Sequence, residues 1–90
     1  AATVAPDWIC ETLSPSTATL DRVKKMRVYA REGVGHAWLV DPQHRSLEVF
    51  EREGADWRPL GVWSGHDRVR APPFEAFELK LELLWAALPR

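Results

Sequence analysis

The side chains able to do chemistry in this sequence are concentrated in its first third. Asp7 and Glu11 lie in a short segment after Pro6, and Asp21, Lys24, Lys25 and Tyr29 follow in a run that contains no Gly or Pro. Carboxylate oxygens and an ammonium are the groups that hold a hard cation and steady a phosphate. Other reactive patterns are missing. There is no Gly-x-Ser-x-Gly elbow and no Cys-x-x-Cys, and His36, His44 and His66 are scattered over turns and strand ends. Gly33-Val34-Gly35 comes after a helix-like segment rather than before one, so it offers no helix N-terminus to a phosphate.

Those residues need elements to position them. Asp7 to Leu13 reads as a strand in which Asp7, Ile9, Glu11 and Leu13 share one face. A polar strand residue usually faces water, so Glu11 has an ordinary explanation beside the chemical one. Ser14-Pro15-Ser16-Thr17 breaks the strand. Thr19 to Glu32 then predicts a helix, with Gly33 as its C-cap. On a helical wheel Leu20, Val23, Met26 and Ala30 form an apolar stripe, while Asp21, Lys25, Tyr29 and Glu32 lie roughly opposite, beside Val28. Local pattern alone therefore points Lys25 at solvent.

The remainder predicts an antiparallel meander. Ala37 to Val40, a turn at Asp41-Pro42-Gln43-His44 and Ser46 to Glu51 make a hairpin, and a turn at Gly54 leads into Trp57 to Trp63. Ser64-Gly65-His66-Asp67 turns toward Val69, Phe74 to Leu79 is expected as an edge strand, and Glu82 to Leu88 as a terminal helix burying Leu83, Leu84 and Leu88. Trp38, Trp57, Trp63 and Trp85 are expected in core or interface rather than as base-stacking platforms.

Composition bounds the class. Ninety residues make one domain, and 46% hydrophobic content with five tryptophans implies a packed core rather than disorder. A net charge of −1 excludes a broadly basic nucleic-acid coat, although Arg22, Lys24, Lys25, Arg27 and Arg31 make one local cluster, as a solvated helix face also would. The lone Cys10 excludes a disulfide framework and suggests a reducing compartment, so the expected location is cytoplasmic; no membrane-length apolar run occurs. The chain opens Ala1-Ala2-Thr3 without methionine, which predicts a fragment of a larger domain spanning residues 1–90 here.

One string ties the early residues together: Pro6-Asp7-Trp8-Ile9-Cys10-Glu11-Thr12-Leu13-Ser14-Pro15-Ser16-Thr17, then Asp21, Lys25, Tyr29, Gly33-Val34 and Trp38-Leu39-Val40-Asp41-Pro42. It resembles the Uma family of proposed restriction endonucleases, a branch of the PD-(D/E)xK nuclease superfamily, with agreement in order and spacing from Pro6 to Pro42. The later meander and short terminal helix are similar to that family's C-terminal half. The sequence departs at Gly35-His36-Ala37, where the family tends to have Pro-Glu-Tyr, and in lacking the family's N-terminal half.

The resemblance implies an α+β (α/β), restriction-endonuclease-like fold: a strand-helix unit, an antiparallel meander and a short terminal helix. It implies metal-dependent cleavage of DNA, with Mg (or Mn) as cofactor and DNA as partner of the full-length protein. Glu11 would be the acidic ligand of the (D/E)xK element and the Thr12 carbonyl a second ligand. Leu13 stands where the motif's lysine would be, and the resemblance moves that lysine to Lys25, with Lys24 as backup. Asp21, Ser14 and Tyr29 are secondary candidates. Asp7 is not the partner carboxylate on a straight strand, since four residues span about 13 Å while magnesium ligands must come within about 2.1 Å of the ion. That partner would sit on an upstream strand, with Asp7 structural or in an outer shell. Lys25 then faces the sheet, against its local pattern, which requires a covering segment or a second copy on the other side of the helix. The alternatives are a non-catalytic oligomerising or binding module on the same scaffold, or a β-rich binding domain. The nuclease reading requires Glu11 and Lys25 within about 10 Å of each other.

Overall fold

The computed structural model describes residues 6–14 and 19–88, the side chains at 19 and 20 excepted. The turn expected over residues 15–17 and the Leu20 side chain thus lie outside the described residues. The elements run β1 (Trp8–Thr12), α1 (Thr19–Arg31), β2 (His36–Asp41), β3 (Ser46–Glu53), β4 (Asp56–Ser64), β5 (Arg68–Val69), β6 (Leu79–Lys80) and α2 (Leu81–Ala87). Strands β1 to β4 form one sheet in that order, and β5 and β6 make a separate ribbon. This is the mixed α+β architecture expected from the sequence.

The pairing of β1 with β2 is parallel, Glu11 opposite Leu39, while β2–β3 and β3–β4 are antiparallel. A parallel pair cannot be closed by a tight turn, so the intervening chain crosses the sheet as α1. The helix ends at Gly33, whose φ of +87° suits glycine. There the Gly33 amide donates to the Ala30 carbonyl and the Val34 amide to the Tyr29 carbonyl. That is a Schellman cap, and Val34 is buried beside it. Gly35 lets the chain pass close to β1: a Cβ there would stand 3.2 Å from the Asp7 carbonyl, which accepts hydrogen bonds from the Gly35 and His36 amides.

Strand alternation then divides the sheet into two faces. Trp38, Val40, Leu47 and Val49 point to one face and form the core with Val69, Ala71, Leu81 and Trp85 from the C-terminal segment. Trp8, Trp38 and Phe74 close its edge with mutually edge-to-face rings, centroids 4.8 to 5.7 Å apart. Two core indoles find acceptors, Trp38 Nε1 donating to the Pro72 carbonyl and Trp85 Nε1 to the Gly65 carbonyl, whereas the buried Trp8 Nε1 has none among the described residues. The opposite face carries α1, tied to β4 by a 2.8 Å bond from Trp57 Nε1 to the Met26 carbonyl. As the edge strand, β4 tolerates Pro59, beside the register shift at Val49/Phe50. The β2–β3 turn is held by Asp41, whose Oδ1 accepts from the Gln43 and His44 amides. Partial burial alone would raise the Asp41 carboxyl, but these bonds and the His44 ring outweigh it and hold it below the usual carboxylate range.

Three expectations need correction. The helix buries only part of the expected apolar stripe. Ala30 is buried and Met26 half-buried, but Val23 is 39% exposed, and Arg22 and Tyr29 are half-buried toward the sheet beside them. The reason is tertiary, because the crossover fixes which side of α1 lies over β1 and β2. Residues 74–78 form turns instead of an edge strand, with only Leu79–Lys80 extended. The Arg70 guanidinium holds the Glu75 and Ala76 carbonyls there. In α2 the buried side is Leu81 and Trp85 with half-buried Leu84 and Leu88, whereas Leu83 is 63% exposed. The i, i+3, i+4, i+7 spacing starts one turn earlier than expected.

Leu47 is 0% exposed and Val62, one strand away, is 65% exposed. Leu47→Ala is expected to cost about 2–5 kcal/mol in urea denaturation, and Val62→Ala less than about 0.5 kcal/mol. Equal losses would show that the core lies elsewhere.

Candidate active site

The strand β1 alternates so that Ile9, Glu11 and Leu13 face α1, and the half-buried Glu11 carboxylate sits under the helix. Three helix residues one turn apart, Asp21, Lys25 and Tyr29, form a stripe along that side. Lys25 Nζ lies 3.7 Å from Glu11 Oε2 and 3.7 Å from Asp21 Oδ2. The Tyr29 hydroxyl donates a hydrogen bond to Glu11 Oε1. Together with Thr12, Leu13, Arg22, Met26 and Leu39 these residues line a cleft of about 30 Å³.

The expected approach of Glu11 and Lys25 is therefore observed. Lys25 takes the orientation implied by the resemblance rather than by local pattern alone: its side chain remains 49% exposed, but it reaches Glu11 across the cleft. Asp21, Tyr29 and Thr12 join them, whereas Lys24 is exposed and does not line the cleft. Asp7 is exposed at the far end of β1, and its carbonyl, rather than its carboxylate, does the structural work. Ser14 follows the strand at an exposed position. The sequence reading did not single out Arg22, Met26 and Leu39 as site residues. The signal available was helical spacing, since 22, 25, 26 and 29 fall on one side of a helix that already carries Lys25.

Electrostatically the cleft is a carboxylate with two different partners. The phenol bond is the charge-assisted one and is directional. Its carboxylate acceptor, followed by burial and the charges of Glu11 and Asp21, pushes the Tyr29 phenol up to about 12. The ion pair from Lys25 is longer than a hydrogen bond and partly in water, so it is weak.

A divalent cation of magnesium type takes oxygen ligands, commonly one or two protein carboxylates plus waters. Glu11 Oε2 is such a donor. The Leu13 amide donates to the Val40 carbonyl, so the backbone groups of odd-numbered residues here point to β2 and the Thr12 carbonyl turns to the other edge, where no described strand pairs. The cleft volume suffices for one ion or water. No group of three or more His, Cys, Asp or Glu side chains among the described residues could enclose a metal. The donors thus fit a hard ion held largely by water and a single carboxylate.

The family model described as "Putative restriction endonuclease", Uma2, matches residues 1–83. The chain belongs to the Uma2 family. No curated protein matches it. Among solved structures it is similar to "a putative nuclease belonging to DUF820" from Anabaena variabilis, with a TM-score of 0.69 and 24% identity over 93% of this chain. That likeness carries the fold. The match covers 46% of the solved protein, so the chain spans about half its length. No helix among the described residues is long and apolar enough to cross a membrane.

Tyr29 is the only tyrosine in the chain, so phenolate absorbance reports it alone. Alkaline titration is expected to show its inflection at about 12, returning toward about 10 in Glu11→Gln. Because the folded chain retains a proton that the unfolded chain releases above about pH 10, this contact stabilises fully below that pH and is lost as pH rises toward 12. An unshifted native inflection would mean that Tyr29 and Glu11 are not bonded.

Proposed function

We propose that this chain carries part of the active site of a metal-dependent DNA endonuclease. The observation supporting it is the convergence of Glu11 and Lys25, 3.7 Å apart, in one cleft of a chain that belongs to the Uma2 family. In the hydrolysis, water attacks the phosphorus, the P–O bond to one sugar oxygen breaks, and the departing oxygen takes up a proton. A Mg²⁺ or Mn²⁺ ion, when bound, supplies Lewis acidity toward the phosphate and acidifies water. Glu11 Oε2 and the Thr12 carbonyl are the ligands this chain offers. Lys25 steadies charge on the phosphate or orients the attacking water. The second carboxylate belongs to an upstream strand pairing along the open edge of β1. Asp7, distant from the cleft, remains structural. DNA in the cytoplasm is the substrate this reading assigns.

A second reading has its own support. Val28 is 41% exposed on α1, and Phe77 is 72% exposed. Such surface suits an oligomerising or binding module that keeps the scaffold without cleavage.

In the full-length protein, Glu11→Gln is expected to lower divalent-ion-dependent DNA cleavage by about a thousandfold or more, equivalent to about 4 kcal/mol. Lys25→Ala is expected to fall comparably while metal binding persists. Wild-type protein that cleaves no form of DNA with magnesium or manganese, and shows no calorimetric metal binding, would give precedence to the binding module.

A further inference from the structure

The two oxygens of the Glu11 carboxylate are not equivalent. Oε1 accepts the Tyr29 hydroxyl, while Oε2 faces the Lys25 ammonium at 3.7 Å. The first contact is a directional, charge-assisted bond that fixes the rotation of the carboxylate. The second lies beyond hydrogen-bond length, and its lysine is 49% exposed, so water competes with it. Of the two, Oε2 is the oxygen that can change partner.

Lys25 already has somewhere else to go. Asp21 Oδ2 stands at the same 3.7 Å from its Nζ, one helical turn back. A cation arriving at Oε2 repels the ammonium, and an alternative carboxylate retains the lysine in the cleft instead of releasing it into solvent. The remaining cations of that side do not substitute for it. Arg22 lines the cleft but makes no ion pair with Glu11, and Lys24 does not line it.

We infer that Tyr29 and Asp21 are positioning residues for an exchange at Glu11: a divalent cation replaces the Lys25 ammonium at Oε2, Tyr29 holds the carboxylate by Oε1, and Asp21 takes over the lysine. This rests on the metal-dependent reading above and deepens it. Lys25 would compete with the metal for Glu11 and, held by Asp21, would stay in the cleft to meet the charge of an entering phosphate. The arrangement therefore predicts opposite signs for neighbouring substitutions, which a purely structural stripe does not.

The test is the Mn²⁺ affinity of the full-length protein, read by calorimetry and by the electron-spin resonance of free Mn²⁺, neither of which requires turnover. Lys25→Met is expected to bind Mn²⁺ about thirtyfold more tightly, the effect on a divalent ion of removing one unit charge about 4 Å away in a water-like medium. Lys25→Arg, which keeps the charge, is expected to leave affinity near wild type. Tyr29→Phe is expected to weaken binding about tenfold or more, as loss of a group orienting a ligand does. Asp21→Asn is expected to weaken binding in the wild-type background but not in Lys25→Met, because it acts through the lysine. Urea midpoints check that each variant is folded, and the Lys25 pair carries the test should Tyr29→Phe unfold. Mn²⁺ binding that is unchanged in every variant overturns the exchange while leaving the metal reading intact. An Asp21→Asn effect that persists in Lys25→Met also overturns it, since Asp21 would then act on the ion directly as a charge. Absence of Mn²⁺ binding in both wild type and Lys25→Met overturns the metal reading and the exchange together.

Discussion

The parallel pairing of β1 with β2 is the constraint on which the cleft depends. Two parallel neighbours cannot be joined by a hairpin, so the chain must leave one end of the sheet and return to the other, and α1 is the path it takes. Because such crossovers are right-handed, the helix has one side on which to lie and one direction in which to run. Its Asp21–Lys25–Tyr29 stripe is thereby laid over the only acidic side chain of β1, Glu11. The Schellman cap at Gly33 and the close approach of Gly35 to Asp7 set where the helix stops and β2 begins.

The two faces of the sheet then take separate tasks. One is filled with apolar side chains from β2, β3 and the C-terminal segment and carries most of the packing. The other bears α1 over the buried Ala37 and Leu39, with an arginine, a methionine and a tyrosine on the sheet-facing side of the helix and the Trp57–Met26 bond tying it to β4. A face to which the helix brings polar side chains can hold a small polar cleft. A face required to supply the core could not, because a buried carboxylate without partners is costly.

Within the cleft a single carboxylate serves a phenol and an ammonium at once, and the second carboxylate of that neighbourhood, Asp21, lies on the helix rather than the sheet. This sharing makes the position of Lys25 intelligible. On the reading proposed above, an ammonium on α1 would take the place that the (D/E)xK pattern gives to the residue at Leu13, because helix and strand meet at that point.

Much was legible in the sequence because it is local. Gly33 with positive φ, the run without Gly or Pro before it, and the alternation of Leu47 and Val49 are read from propensity and period, and the resulting elements agree with the structure to within a few residues. The spacing of Asp21, Lys25 and Tyr29 was equally visible as one helical stripe. What that stripe faces was not. The wheel grouped Leu20, Val23, Met26 and Ala30 as the buried side because apolar content is the only local guide. Met26 and Ala30 do turn toward the sheet, but the crossover geometry brings Tyr29 in beside them and leaves Val23 exposed. The same holds for α2, where the start of the buried period depends on the ribbon formed by β5 and β6, and for residues 74–78, whose turns are held by Arg70. Sequence determined which elements form, since backbone preference and period act over a few residues. Tertiary structure alone decided which oxygen of Glu11 meets which partner, because that requires two elements distant in sequence to be fixed against each other in space.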